Sequence, residues 1–353
     1  MREARAVGDS ARREHKIKCV VWDLDNTLWN GTLLEDQQVT LFPHTLATIK
    51  TLDERGILQS IASKNDADLA LAKLKEFNLD DYFIYPKINW NPKSASVEQI
   101  AKEINIGLDT IAFVDDQPYE REEVAFSQPK VLCIDAREIG QIPDMPEMQP
   151  RFVTDDSRRR RHMYQSDIQR NQVEKAFTGP QDAFLQTLAM VFTIAPAKEE
   201  DLKRAEELTV RTNQLNTTGY TYTYDELNFF RQSKDHLLLV ATLDDKFGTY
   251  GKIGLALITC DKTVWRIKLL LMSCRVMARG VGSVLINHIR NEARRHGVRL
   301  EAEMLTNDRN RMMYMTYKFT HFTETNKEGE LIIFENDLSK EQKFPDFLQV
   351  VTD

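Results

Sequence analysis

Between Ile17 and Asp135 the chain alternates short apolar runs rich in β-branched residues with stretches of helical spacing, and this rhythm constrains the fold more than any other feature. The order is IKCVVW, HTLATIKTLDERG, ILQSIA, DADLALAKLKEFN, FIYPKI, SASVEQIAKEIN, TIAFVD and KVLCI. Strands separated by helices predict a doubly wound parallel sheet, because a parallel pair needs a crossover long enough to hold a helix. The punctuation agrees: Gly56 follows a basic turn as a helix stop, and Asp66 precedes an apolar-periodic run as a helix start.

The pattern then breaks. QIPDMPEMQP, residues 141–150, holds three prolines and reads as a boundary. DDSRRRRHMYQSDIQRNQVEKAF follows with helical spacing and mixed charge, the reading of a solvated helix bracing two domains. From Met190 the sequence changes to MVFTIA, a helix through KEEDLKRAEELTV, three strands (HLLLVATLD, KIGLALITC, VWRIKLLLMS) joined by short polar turns, a helix from about Gly280 to His296, and the strand RLEAEML. This is an α+β pattern. The expected organisation is a leader at 1–15, a parallel-sheet domain at 16–140, linker and bracing helix at 141–188, an α+β domain at 189–338 and a tail at 339–353.

A chain of 353 residues is long enough for two such domains, and 42% hydrophobic with 29% charged residues gives each enough apolar surface for a core. The net charge of −7 supplies no global positive field, so nucleic acid is not an expected partner. No segment approaches the roughly 20 apolar residues of a membrane span and the start lacks an apolar signal core, so a cytoplasmic protein without a membrane partner is expected. Cys19, Cys133, Cys260 and Cys274 are far apart and predict free thiols.

Asp23 and Asp25 directly follow the first strand, at the end where parallel sheets place ligands. A second pair, Asp115 and Asp116, ends another strand. Like charges that converge need a cation, and hard oxygen donors point to Mg²⁺. Ser63 after ILQSIA and Lys93 in WNPKSAS add a hydroxyl and an ammonium suited to a phosphoryl group. In this order the four parts resemble the haloacid dehalogenase phosphohydrolase superfamily. The resemblance implies Asp23 as nucleophile, Asp25 as general acid/base, Ser63 and Lys93 as phosphoryl clamps, and Asp23, Asp25 and Asp115 around the metal, with Asp116 held more loosely. The intervals between the motifs leave no room for a large cap, so an open site is expected, with the second domain as the candidate lid.

Cys19, Cys133 and Cys260 lie in or at the end of apolar strand runs, where a thiol packs as a small hydrophobe. Cys274, in LMSCRVMARGVG, lies where a strand ends and a Gly-containing turn opens a helix; a helix N-terminus with Arg275 and Arg279 nearby would lower a thiol's pKa. Residues 277–282 resemble the pyrophosphate turn of GNAT-type N-acetyltransferases. Asn310 to Phe319 resembles that fold's closing segment, with Tyr314 at its tyrosine. Met277 and Lys318 depart from the pattern, so the resemblance implies the fold rather than acetyl-CoA binding.

Taken together, VWDLDNTLWNGTLLED, IASKND, FVDDQPYEREEV, RTNQLNTTG and LMSCRVMARGVG resemble the FkbH-like family over about residues 16–322. That resemblance implies a bifunctional glyceryltransferase/phosphatase of polyketide pathways. It would use 1,3-bisphosphoglycerate, carry the glyceryl unit as a thioester on Cys274, and load the phosphopantetheine thiol of an acyl carrier protein. Asn213, Gln214, Asn310 and Tyr314 are the candidate substrate binders. The alternative is a phosphatase of a small phosphorylated metabolite whose second domain is a GNAT-like binding or acetyltransferase module.

Overall fold

The structure, a computed structural model, describes residues 16–36, 38–212 and 214–352. The expected leader at 1–15 lies outside the described residues. The chain divides into two compact units, one through Gln165 and one from Ser166 onward.

In the first unit the elements run β1 (Cys19–Trp22), β2 (Trp29–Asn30), β3 (Thr40–Leu41), α1 (Thr45–Glu54), β4 (Leu58–Ser63), α2 (Ala67–Glu76), β5 (Lys87–Ile88), α3 (Lys93–Ile104), β6 (Ile111–Asp115), α4 (Pro118–Ser127), β7 (Leu132–Asp135) and α5 (Asp155–Arg158). The sheet has the order β5-β4-β1-β6-β7, and every pair in it is parallel. Strand β1 therefore lies at the centre, flanked by β4 and β6, and all four of its residues are buried. Such two-sided burial is why the strand reads as an unbroken apolar run instead of an alternating one. β2 and β3 form a small antiparallel hairpin between β1 and α1, and among the described residues no cap domain interrupts the unit.

The proline-rich stretch is not a linker. Residues 136–148 coil in short 3₁₀ turns whose Ile139, Ile142 and Met148 enter the core of the parallel-sheet unit. Proline tolerates this geometry because the turns need few backbone donors. Ile17 N donates to Glu147 O (2.9 Å), and Arg55 Nη1 donates to Pro143 O (2.5 Å) and Met148 O (3.2 Å). Two of the arginines expected to be solvated are likewise committed here: Arg160 donates to Gly56 O (2.8 Å), and Arg161 pairs with Asp53 at 2.9 Å. Gly56 is at φ +70°, and a Cβ there would meet Ser157 O at 2.7 Å, so the stop after α1 admits only glycine. The division between the units falls inside α6 (Arg160–Ala176).

The second unit continues with α7 (Gln181–Thr187), β8 (Met190–Pro196), α8 (Leu202–Arg211), α9 (Tyr224–Gln232), β9 (His236–Asp245), β10 (Gly248–Cys260), β11 (Val264–Met272), α10 (Val284–Arg295), β12 (Arg299–Leu305), α11 (Arg311–Phe319), β13 (Phe322–Glu328), β14 (Leu331–Asn336) and β15 (Leu348–Thr352). Its sheet order is β13-β14-β12-β11-β10-β9-β8-β15. The expected tail is thus partly a strand: β15 pairs in parallel with β8. Alternate residues of β10 and β11 feed two cores. Ala256, Ile258 and Leu270 face one, with Val284, Leu285 and Ile289 of α10; Leu255, Leu257, Leu269 and Leu271 face the other, with Leu202 and Leu208 of α8.

Within this sheet β11 and β12 run parallel, with a register that covers only Val264–Ile267 against Arg299–Ala302. Beyond that point a segment of the chain itself takes up the ladder groups. Met272 N donates to Leu215 O (2.9 Å), Thr217 N to Leu270 O (3.0 Å) and Leu305 N to Thr217 O (3.0 Å). Backbone polar groups in a core must find partners, and here the Leu215–Thr217 segment supplies them.

Candidate active site

The first candidate site forms where the carboxyl ends of β1, β4 and β6 meet, beside the point where the strand order reverses. Asp23 follows β1, and its N–H donates to Val114 O (2.9 Å). Ser63 closes β4, Lys93 opens α3 and Asp115 closes β6; all are buried. The Lys93 ammonium lies between two carboxylates, 2.9 Å from Asp23 Oδ1 and 2.5 Å from Asp115 Oδ2. Gln117 N holds the other Asp115 oxygen (2.8 Å), and the Thr27 hydroxyl accepts from Asp116 N (3.0 Å), tying the β1 loop to the β6 loop.

Burial pushes the Asp23 carboxyl up to about 7; Lys93 opposes this, Asp115 adds to it, and the Ser63 hydroxyl steadies the charge. Asp115 and Asp116 are also raised, chiefly by burial. Burial alone would lower the Lys93 ammonium, but Asp23 and Asp115 outweigh it and its pKa is raised. The site holds more negative charge than its lysine neutralises.

Asp23, Asp115 and Asp116 each offer an oxygen, all within 4.8 Å of one another. Three hard donors around an excess of negative charge fit a divalent cation such as Mg²⁺. The sequence expectation placed Asp25 in the set and Asp116 on its margin; in the structure it is the Asp116 carboxylate that lies with those of Asp23 and Asp115. The chain turns aside after Leu24 through Asn26, at φ +54°, a conformation asparagine tolerates better than most residues. The Asp25 carboxylate is then claimed by other donors: Oδ1 accepts from Trp29 Nε1 (2.8 Å) and Leu33 N (3.1 Å), and Oδ2 from Asn65 Nδ2 (2.9 Å). Asn65 and Trp29, both buried, escaped the sequence reading; the one signal for Asn65 was its place two residues after Ser63. A cation at 100 times its dissociation constant stabilises by about 2.7 kcal/mol. Thermal unfolding with Mg²⁺ instead of a chelator is therefore expected to shift upward by roughly 5–10 °C for the first unit, and Asp116→Asn to reduce that shift; an unchanged curve would count against the cation site.

The second-unit candidates gather where β11 and β12 part. Cys274, half-buried, begins a six-residue 3₁₀ turn directly after β11. The α-helix after it starts only at Val284, so Cys274 does not open that helix as expected. Arg279 is turned to Glu174 (2.9 Å) and Asn171 (3.0 Å). Gln214 is exposed next to Leu215, whose carbonyl accepts from Met272 N, two residues before Cys274. Asn213 lies outside the described residues. Asn310 is fully buried and structural: its amide donates to Asn216 O and Thr217 O (both 3.3 Å) and Leu305 O (2.8 Å), and its oxygen accepts from Asn307 N (3.1 Å). A fully buried side chain so committed to the backbone holds these segments together, a structural role the sequence expectation did not assign to it. The Tyr314 hydroxyl donates to Glu324 at 2.5 Å. Burial raises the Cys19 thiol and pushes Cys133 and Cys260 up to about 11, as packing thiols should behave.

Residues 31–121 match the haloacid dehalogenase-like hydrolase family. The first unit carries a haloacid dehalogenase-like hydrolase domain. The match takes in Ser63, Lys93, Asp115 and Asp116, while Asp23 and Asp25 precede it. No curated protein matches the chain. Among solved structures, the N-terminal part of a Bacteroides fragilis protein, containing a phosphatase domain complexed with Mg, is 28% identical with a TM-score of 0.32; the match covers 36% of this chain and 39% of that one. A haloacid dehalogenase-superfamily hydrolase from Ehrlichia chaffeensis is 14% identical over 36% of this chain and 96% of its own, with a TM-score of 0.31. A GNAT-family acetyltransferase from Streptococcus pneumoniae is 19% identical over 41% of this chain and 98% of its own, with a TM-score of 0.33. Among the described residues no helix is long and apolar enough to cross a membrane.

Proposed function

We propose that the protein is a glyceryltransferase/phosphatase that draws on 1,3-bisphosphoglycerate and loads the phosphopantetheine thiol of an acyl carrier protein in a polyketide pathway. The observation that carries the phosphatase half is the buried Lys93 ammonium between Asp23 and Asp115 at the parallel sheet's carboxyl edge. Asp23 attacks phosphorus and forms an aspartyl-phosphate as the ester oxygen leaves with a proton from Asp25. Asp25, returned to its carboxylate form, takes a proton from water, whose oxygen attacks the aspartyl-phosphate and releases inorganic phosphate. Its three hydrogen-bond donors hold its carboxylate in one orientation for both proton transfers. Lys93 and Ser63 hold the phosphoryl oxygens. A divalent cation on Asp23, Asp115 and Asp116 would offset the charge gathered there.

For the transferase half, the thiolate of Cys274 attacks the acyl-phosphate carbonyl. A C–S bond forms, the C–O bond to phosphate breaks, and inorganic phosphate leaves. The carrier's thiol then displaces the Cys274 sulfur by thioester exchange, and the phosphate ester on the three-carbon unit is hydrolysed at the Asp23 site, before or after that exchange. Cys274's half-exposure, beside the Gln214 segment and apart from the three packing thiols, supports this reading.

Intact-mass spectrometry after Mg²⁺ and 1,3-bisphosphoglycerate tests it. The wild type is expected to gain a glyceryl or phosphoglyceryl adduct that Cys274→Ala lacks, and the adduct should pass to a phosphopantetheinylated carrier protein. Phosphate release with no mass gained by either protein would leave a phosphatase with a binding module instead.

A further inference from the structure

Glu120 stands beside the Asp23 site but outside the described group of cation donors, which comprises Asp23, Asp115 and Asp116. It is buried at the third position of α4. Its Oε1 accepts from Lys64 Nζ at 2.9 Å. Its Oε2 lies 3.7 Å from Lys93 Nζ, too far for a hydrogen bond, and has no hydrogen-bond partner among the described residues. A buried carboxylate oxygen without a direct partner is costly, and the charged group that this one faces is the Lys93 ammonium.

We propose that Glu120, anchored by Lys64, is the positioning residue that keeps the Lys93 ammonium at the phosphoryl position once a cation is bound; this rests on the phosphatase reading above. Asp23 and Asp115 hold Lys93 directly, but both are also cation donors, and a divalent charge on their oxygens weakens their hold on an ammonium. Glu120 is the remaining carboxylate within 4 Å of Lys93 among the described residues, and its pull survives cation binding. Lys64 holds the far oxygen, and the N-terminal turn of the ten-residue α4 favours negative charge at that position. Lys64, Glu120 and Lys93 thus form an alternating chain of charges that ends at the reacting phosphorus.

Glu120→Gln keeps the shape and removes the charge. On the full chain with Mg²⁺, kcat/KM for p-nitrophenyl phosphate is expected to fall by about tenfold to a hundredfold. The dissociation constant for orthovanadate, measured by calorimetry, should rise by the same factor while Mg²⁺ affinity and Tm hold. Lys64→Met should move both readouts in the same direction by less, and the double variant should be no worse than Glu120→Gln alone. Wild-type vanadate affinity in Glu120→Gln overturns the proposal. So does a parallel loss of Mg²⁺ affinity, which would make Glu120 a cation ligand. If Glu120→Gln does not fold, Glu120→Asp, which keeps the charge, should retain most of the vanadate affinity, and a full loss there overturns it too. A wild type that binds vanadate without releasing phosphate defeats the phosphatase reading, while the vanadate comparison still decides the role of Glu120.

Discussion

Asp23→Asn is expected to lower Mg²⁺-dependent phosphate release by about 10⁴-fold or more, because the amide cannot attack phosphorus and the neighbouring Asp25 carboxylate is held by Trp29, Leu33 and Asn65. The fold should survive. Asparagine has nearly the same shape, and the substitution removes a buried negative charge whose carboxyl burial already pushes up to about 7. Tm without metal is therefore expected to stay level or rise, while the Mg²⁺-induced increase shrinks with the loss of one donor. Asp25→Asn separates the steps: it should slow release and leave a phosphoryl mass on the protein that Asp23→Asn never shows. Phosphate assays and intact mass read both, and wild-type turnover by Asp23→Asn would end the aspartyl-phosphate mechanism.

The second large effect is on stability. Arg170 is fully buried and holds Asp245 in two hydrogen bonds (2.7 and 2.9 Å), Asp167 in a third (2.8 Å) and Gly248 O in a fourth (3.0 Å). The Tyr250 hydroxyl donates to Asp245 (2.9 Å), and the guanidinium lies 3.8 Å from the Tyr250 ring centre. This cluster ties α6 to the turn between β9 and β10 within the second unit. Arg170→Met fills similar space but leaves Asp245 buried without a counter-charge, which costs about 3–5 kcal/mol. Thermal unfolding of the second unit should fall by roughly 10 °C. Arg170→Met combined with Asp245→Asn should recover part of the loss, since the lone buried charge is gone. An Arg170→Met protein within about 1 kcal/mol of wild type would show that the pair is replaceable by packing.

What was legible in the sequence was whatever one element declares by itself. Asp23, Ser63 and Asp115 could be placed together because each ends an apolar run, and parallel strands bring such ends to one edge. The fate of Asp25 could not, because it depends on donors from the Trp29–Leu33 loop and from Asn65, reached through a left-handed turn. Asn310 matched a binding segment in type and spacing, but its amide closes the gap between β11 and β12, a contact with residues almost a hundred positions earlier. The prolines of residues 141–150 do forbid regular helix and strand, yet Ile142 and Met148 bury themselves all the same. Composition records what a segment cannot form, not what it touches.

The central place of β1 carries a cost in time. It is made first among the strands of its sheet, yet one of its two neighbours, β6, begins at Ile111. At about 5–20 residues per second, translation leaves the apolar β1 edge unpaired for roughly 5–20 s before β6 emerges. The site that needs both strands cannot exist before then, so a slow stretch or stalled ribosome between them would favour aggregation over assembly.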